Sequence, residues 1–225
     1  MGVPERVWLV RHAESADPAV FHGAESDVGL SALGHRQADA AAEWFRPLRP
    51  TAVVSSGMRR AVDTAAPIAA ACGLPLLAEP GLHERRVGAL GGTTFDPDRG
   101  PWADTVRRWT AGDTAYTTPG AESFDDLRDR VRAAWDRVVA AHPGDRVVVV
   151  AHGVVCKVLL LTLLDEWGVG DWQRIGRVAN LAVSELASSV SGWQAHQLLV
   201  VPDPVAALTA GQPTGVGKLG VRSEA

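Results

Sequence analysis

Short apolar runs rich in β-branched residues recur along this chain, each followed by a stretch with helical periodicity, the pattern of a sheet covered on both faces. Val7-Trp8-Leu9-Val10 and Val147-Val148-Val149-Val150-Ala151 have no polar alternation, as expected of strands buried on both sides. Ala52-Val53-Val54-Ser55 reads as a third strand and Leu76-Leu77-Ala78 as a weaker fourth. After the first strand a polar loop reaches about Leu30, and Ser31 stands where it can cap a helix through Ala38 and Ala42 to Trp44-Phe45, ahead of Pro47. A second helix is predicted from about Met58 to Ala71, with Gly73 as its stop. Gly and Asp residues make 88–101 a loop placed to rim a pocket. Ser123-Phe124-Asp125-Asp126 resembles a capping box, and Phe124, Leu127, Val131, Trp135 and Val138 then share one helix face as core scaffolding. Gly153 opens a helix through Leu164, and 181–186 and 193–200 read as two late strands joined around Ser191-Gly192. The sum predicts an α/β fold, a three-layer α/β/α sandwich around a mostly parallel doubly wound sheet, in one domain over 1–201. From Pro202 onward Pro, Gly, Ala and Thr dominate, and 202–225 is expected to be a tail, mobile toward its end and without a site.

Composition narrows the classes. A chain of 225 residues, 46% hydrophobic and 21% charged, can bury one full core and demands no second. A net charge of -4 without a basic cluster gives no field for nucleic acid. No apolar signal region opens the sequence, and the longest later apolar stretch, 154–164, is short and interrupted by Lys157; no membrane span and a cytoplasmic setting are expected. Cys72 and Cys156 lack metal-ligand spacing and fall in predicted helices among apolar neighbours, so both are expected to be buried reduced thiols. No compact ligand motif such as His-Glu-x-x-His is present, and neither a metal nor another cofactor is implied.

The chemistry gathers where strands end. Arg11-His12-Ala13-Glu14-Ser15 follows the first strand, Ser55-Ser56-Gly57-Met58-Arg59-Arg60 the second, and His152-Gly153 the Val-rich one; loops at one carboxyl edge of an open sheet converge on its ligand site. Neutral imidazole is a nucleophile at cellular pH, and guanidinium holds phosphate oxygens in a bidentate fork. Glu84, within Leu82-His83-Glu84-Arg85-Arg86-Val87-Gly88, supplies a proton donor for a leaving alkoxide. Singly, each residue has a plainer reading: a packed histidine, an Arg11 paired with Glu14, a Glu84 in a salt bridge. Arg85, Arg86, Arg107 and Arg108 could equally meet an anionic substrate tail or a solvated face. Trp102, Trp109, Trp167 and Trp172 could line a pocket, an interface or the core.

At these residues the chain resembles the histidine phosphatase superfamily, the phosphoglycerate mutase-like or RHG family. Leu9-Val10-Arg11-His12-Ala13-Glu14-Ser15 looks like its signature, and Leu30 to Ala38, Ser55 to Ala65, Pro119-Gly120-Ala121-Glu122-Ser123 and Ala151-His152-Gly153 like its later motifs. The resemblance implies a phosphomonoester hydrolase in which His12 accepts the phosphoryl group, Arg11 and Arg60 hold its oxygens, His152 hydrogen-bonds the transferring group, and Glu84 acts as general acid and then base. The arginine directly before Ala61 is Arg60, which the family spacing favours over Arg59. Substrate contacts are expected from Arg11, Ser15, Gly23, Arg60, Arg85 and Gly153, with a small phosphorylated metabolite as ligand and a homo-oligomer as a further expectation. Pro18 stands where the family often has Asn, so one bond to phosphate is either missing or supplied from around His22-Gly23. Against the mutases specifically, the expected Lys falls near Phe95, the paired arginines at Thr110-Ala111, and the Asn after His-Gly at Val154, so hydrolysis is preferred to phosphomutase activity. A noncatalytic phosphate-binding protein is the other alternative, supported by Pro18 alone.

Overall fold

A computed structural model describes residues 2–94, 96, 98–189 and 192–209. Its strands are β1 (Arg6–Arg11), β2 (Ala52–Ser55), β3 (Leu76–Ala78), β4 (Arg146–Ala151), β5 (Val183–Ser189) and β6 (Gly192–Val200), in the sheet order β3-β2-β4-β1-β5-β6. The first four pair parallel, and β5 and β6 run antiparallel at one edge. The order reverses between β1 and β2, which flank β4, so the carboxyl ends of these three central strands lie side by side.

Helices cover both faces because the central strands are apolar at every interior position. Val7 and Leu9 of β1 and Val147 and Val149 of β4 join the core under α4 (Phe124–Ala141) and α5 (Gly153–Leu163). The alternate residues Trp8, Val10, Val148 and Val150 join the core under α1 (Ala32–Phe45) and α2 (Arg59–Ala71), the period-two division of a two-sided strand. Ser31 caps α1 by accepting Gly34 N–H at 2.9 Å, and Ser123 and Asp126 form a reciprocal capping box on α4. Gly34 is also a point of close approach: a Cβ there would stand 2.0 Å from the Glu14 carbonyl oxygen, so only glycine lets α1 reach the loop after β1.

Three features differ from the expectation. A helix, α3 (Gly100–Thr110), begins inside the predicted 88–101 loop, with Pro101 in its first turn and Trp102, Val106 and Trp109 buried on one face. Cys72 is the half-buried C-cap residue of α2, because the helix ends one residue before it; Cys156 is buried as expected. Residues Asp203–Thr209, assigned to the tail, form a helix, α6, that packs on α1 and buries Val205 in the second core; positions 210–225 lie outside the described residues. Val190 and Ser191 in the β5–β6 turn, Phe95 and Pro97 lie outside them too. No helix among the described residues is long and apolar enough to cross a membrane.

Candidate active site

The carboxyl ends of β1, β2 and β4 open into a cavity of about 510 Å³ lined by Arg11, His12, Ser15, Arg60, Glu84, Arg85 and Gly153. His152 lies buried beside it, its ring 5.1 Å from that of His12, centroid to centroid. Gly23 does not line the cavity. It serves from behind, its carbonyl accepting from Arg60 Nη2 at 3.3 Å, and it must be glycine because a Cβ would meet Val87 at 2.4 Å and the Arg85 carbonyl oxygen at 2.9 Å.

His12 is fixed through its own backbone. Its N–H donates to the Ala151 carbonyl at the end of β4, and its carbonyl accepts from Asn180 Nδ2 at 3.0 Å. The ring Nδ1 lies 2.6 Å from the Ala13 carbonyl oxygen. A carbonyl can only accept, so the ring proton sits on Nδ1 and Nε2 keeps its lone pair. Burial, followed by the charges of Arg11 and Arg60, holds the His12 pKa well below its ordinary 6.5, which keeps the ring neutral. Burial and then Arg60 act the same way on His152. His152 Nε2 stands 2.7 Å from Ser56 Oγ, which itself accepts from Met58 N–H at 3.2 Å. With the hydroxyl proton given to Nε2, the His152 N–H is at Nδ1, a buried atom without a protein partner.

Two guanidinium groups complete this end. Arg11 Nη1 donates to the Val178 carbonyl at 2.6 Å, while its Nε is buried and unpartnered. A Cβ at Gly153 would stand 3.4 Å from that Nε, in ordinary contact, so the guanidinium passes directly over the start of α5. Arg60 donates through Nη1 to the Ser26 carbonyl at 2.7 Å. Burial lowers the Arg11 pKa to about 10 and also lowers that of Arg60, with Glu84 opposing both shifts. Glu84 accepts Arg85 N–H on Oε1 at 2.9 Å and Val154 N–H on Oε2 at 3.3 Å, which sets its carboxyl group beside the first turn of α5. Two positive side chains, two neutral imidazoles and one carboxyl group therefore share a cleft that can hold a tetrahedral anion, attack it and protonate what leaves.

Several alternatives from the sequence are resolved. Glu14 accepts from the Ser31 hydroxyl and forms no ion pair with Arg11 among the described residues. Arg59 is exposed and Arg60 buried. Arg85 lies under the cavity, its guanidinium 5.2 Å from the ring centroids of both Trp102 and Trp109. Arg107 and Arg108 instead pair at the surface with Asp104 and Asp113, and Arg86 lies 3.8 Å from Glu122. Pro18 and His22 both line the cavity, but His22 is turned back onto Ser26 Oγ and the Ala16 carbonyl. Trp102 and Trp172 line the cavity, Trp109 is core, and Trp167 is half-buried against Arg174.

Sequence reasoning did not single out Asn180, Arg177 or Lys157 as site residues, yet all three line the cavity. Residues 172–182 fold over the end of β1, with Arg11 N–H bonded to the Ala182 carbonyl and Leu181 N–H to the Arg11 carbonyl. Only Lys157 left a signal, as the single charge in an apolar helix. Among the described residues no group of three or more His, Cys, Asp or Glu is placed to hold a metal ion.

Comparison with known proteins fits this geometry. The profile of the histidine phosphatase superfamily (branch 1) matches residues 7–200. A bifunctional protein of Mycobacterium tuberculosis is 38% identical over 197 residues, covering 84% of this chain and 53% of that protein. A metal-independent phosphoserine phosphatase of Arabidopsis thaliana is 36% identical over 168 residues, covering 72% of this chain and 70% of the plant protein. The chain thus spans about half the length of the mycobacterial relative. Among solved structures, mycobacterial glucosyl-3-phosphoglycerate phosphatase in complex with inorganic phosphate superposes with a TM-score of 0.73 at 30% identity, covering 87% of this chain and 97% of that one.

Proposed function

The chain belongs to the histidine phosphatase superfamily, and from that premise we propose that it hydrolyses small phosphomonoesters through a covalent phosphohistidine on His12, as a cytoplasmic enzyme. The observation that carries the reading is the His12 ring, buried and neutral, with Nδ1 committed to the Ala13 carbonyl. That leaves Nε2 as the nucleophile. Arg11, Arg60 and His152 surround it, with Arg11 Nε and His152 Nδ1 still in need of an acceptor, and a phosphoryl group supplies one.

In the first step the Nε2 lone pair forms the N–P bond as the P–O bond to the alcohol breaks, and Glu84 gives its proton to the leaving oxygen. Arg11 and Arg60 hold the equatorial oxygens, where charge accumulates, and His152 donates its Nδ1 hydrogen to one of them. In the second step Glu84 takes a proton from water as that water attacks phosphorus, the N–P bond breaks, and inorganic phosphate leaves. Glu84 ends protonated and His12 neutral, so the cycle closes.

Phosphate release from an aryl phosphate in the presence of chelator tests this. The wild type should turn over, and His12→Ala should lose roughly 10⁴-fold or more in kcat with an unchanged circular dichroism spectrum. Comparable activity in a folded His12→Ala variant would remove the mechanism.

A further inference from the structure

His12 and His152 stand at strand ends, where the register of the sheet places them, but Glu84 does not. Residues 83–86 belong to no helix or strand, so a proton donor there depends on tethers from other segments. The chief tether is Arg130, from the second turn of α4. Its Nη1 donates to the Gly81 and His83 carbonyls, both at 2.8 Å, and its Nη2 to the Glu84 carbonyl at 3.3 Å. Nε and Nη2 donate to the two carboxylate oxygens of Glu122, each at 2.8 Å. A guanidinium carries five N–H groups, and these bonds use all of them. Arg130 does not line the cavity and has no donor left for a ligand.

Glu122 closes the arrangement from just before the N-cap of α4. It is 2% exposed. Its Oε2 also accepts Arg86 N–H at 2.8 Å, its carbonyl accepts from Arg85 Nε at 2.8 Å, and its own N–H donates to the Arg86 carbonyl at 3.0 Å. Burial opposes its ionisation, but the hydrogen bonds from Arg130 and Arg86 N–H outweigh burial and hold its pKa below the ordinary value. The ion pair therefore persists at neutral pH. Arg85, tied to Glu122 in this way, donates its N–H to Glu84 Oε1.

The backbone on both sides of Glu84 is thus fastened to one buried ion pair. We infer that Arg130 and Glu122 are positioning residues of the proton-transfer step, which act through Glu84 by setting its carboxyl group against the leaving oxygen. Three of the five Arg130 bonds fall on carbonyls within four residues of chain, one of them the carbonyl of Glu84 itself. A proton donor works only within hydrogen-bond reach of the atom it serves, and a displacement of about 1 Å can cost on the order of 10²-fold. The inference deepens the phosphatase reading and rests on it for the role of Glu84.

Arg130→Lys tests it, because lysine keeps the charge beside Glu122 but carries its donors on one nitrogen, which cannot span a carboxylate and three carbonyls. The readout is kcat/KM, which covers the step that breaks the ester bond. Arg130→Lys should lose about 30-fold or more on glycerol 3-phosphate, an alkyl ester, and under about threefold on nitrophenyl phosphate, whose leaving group needs little acid help. A merely structural role would lower both alike. In the Glu84→Gln background the same change should cost under about threefold on glycerol 3-phosphate, because the group it positions no longer gives a proton. Glu122→Gln, which keeps the shape but breaks the ion pair, should show the same pattern and serves should the lysine form fail to fold. Equal losses on the two esters, a loss that persists in Glu84→Gln, or no loss at all would each overturn the inference alone. Failure of the phosphatase reading would show elsewhere, as nitrophenyl phosphate left intact by the wild type or hydrolysed equally well by His12→Ala, and the inference would fall with it.

Discussion

Two groups of residues at the cavity are placed in different ways. In one, Arg11 and His12 continue β1, Ser56 and Arg60 follow β2, and His152 and Gly153 follow β4, so each polar group is within a few residues of a strand in the parallel part of the sheet. In the other, Trp102 comes from α3, Lys157 from inside α5 and Trp172 from the loop beyond it, and these meet only when three separate segments pack. Strand register fixes the positions of these strand-end residues. His12, for instance, is bonded through its backbone to β4 and Asn180. The other group depends on side-chain packing between helices and a loop, which can change without disturbing the sheet. Residues placed by strand ends and residues placed by helix packing thus meet in one cavity by different routes.

The largest effect that would sharpen this division comes from Glu84, which lines the same cavity. Glu84→Gln keeps one acceptor oxygen, enough for the Arg85 N–H at the cost of the weaker Val154 contact, and cannot give a proton; it should cost about 10³-fold in kcat on alkyl phosphates and under about 10-fold on aryl phosphates, whose leaving groups need little acid help. Equal losses on both would reduce Glu84 to a structural carboxylate. Next is Arg60→Lys, which retains charge but loses the fork that donates to the Ser26 and Gly23 carbonyls. A fall of about 10²-fold in kcat/KM on every phosphomonoester is expected, and a loss confined to one of them would break the assignment of Arg60 to the shared phosphoryl group.

The smallest effect is on stability. His12 and His152 are held neutral in the fold, their pKa values pushed well below 6.5, first by burial and then by the neighbouring arginines. Below about pH 6.5 the unfolded chain takes up protons that the folded one refuses, so the contribution is complete above that pH and is lost progressively as pH falls beneath it. Urea midpoints should decline from about pH 7 to 5, with a shallower decline in His12→Ala. A flat profile would mean that the imidazoles charge within the fold.

The same contrast explains why one group is legible in the sequence and the other is not. Two-sided strands announce themselves as runs such as Val147-Val148-Val149-Val150, and the residues just after such a run lie at the sheet edge. His12, Arg60 and His152 are therefore legible together, as are the caps at Ser31 and Ser123. The α3 helix is hidden by Gly100-Pro101 at its start, although Trp102, Val106 and Trp109 carry its periodicity. Asp203–Thr209 is obscured by the Pro- and Gly-containing composition around it, and its place in the core depends on the single buried side chain of Val205. Asn180 and Lys157 have no strand end to mark them. Asn180 is placed by the way 172–182 folds over β1, and Lys157 meets Trp172 of that segment from α5, which are tertiary facts and not local ones.

The most direct test of the account is to mix the wild-type enzyme with an aryl phosphate, quench in alkali within the first turnovers and map the phosphorylated peptide by mass spectrometry. A phosphoryl group stable to base and labile to acid, carried by His12 and absent from His12→Ala, is the predicted result. Continued turnover with no phosphopeptide, or with the phosphoryl group on another residue, would contradict it.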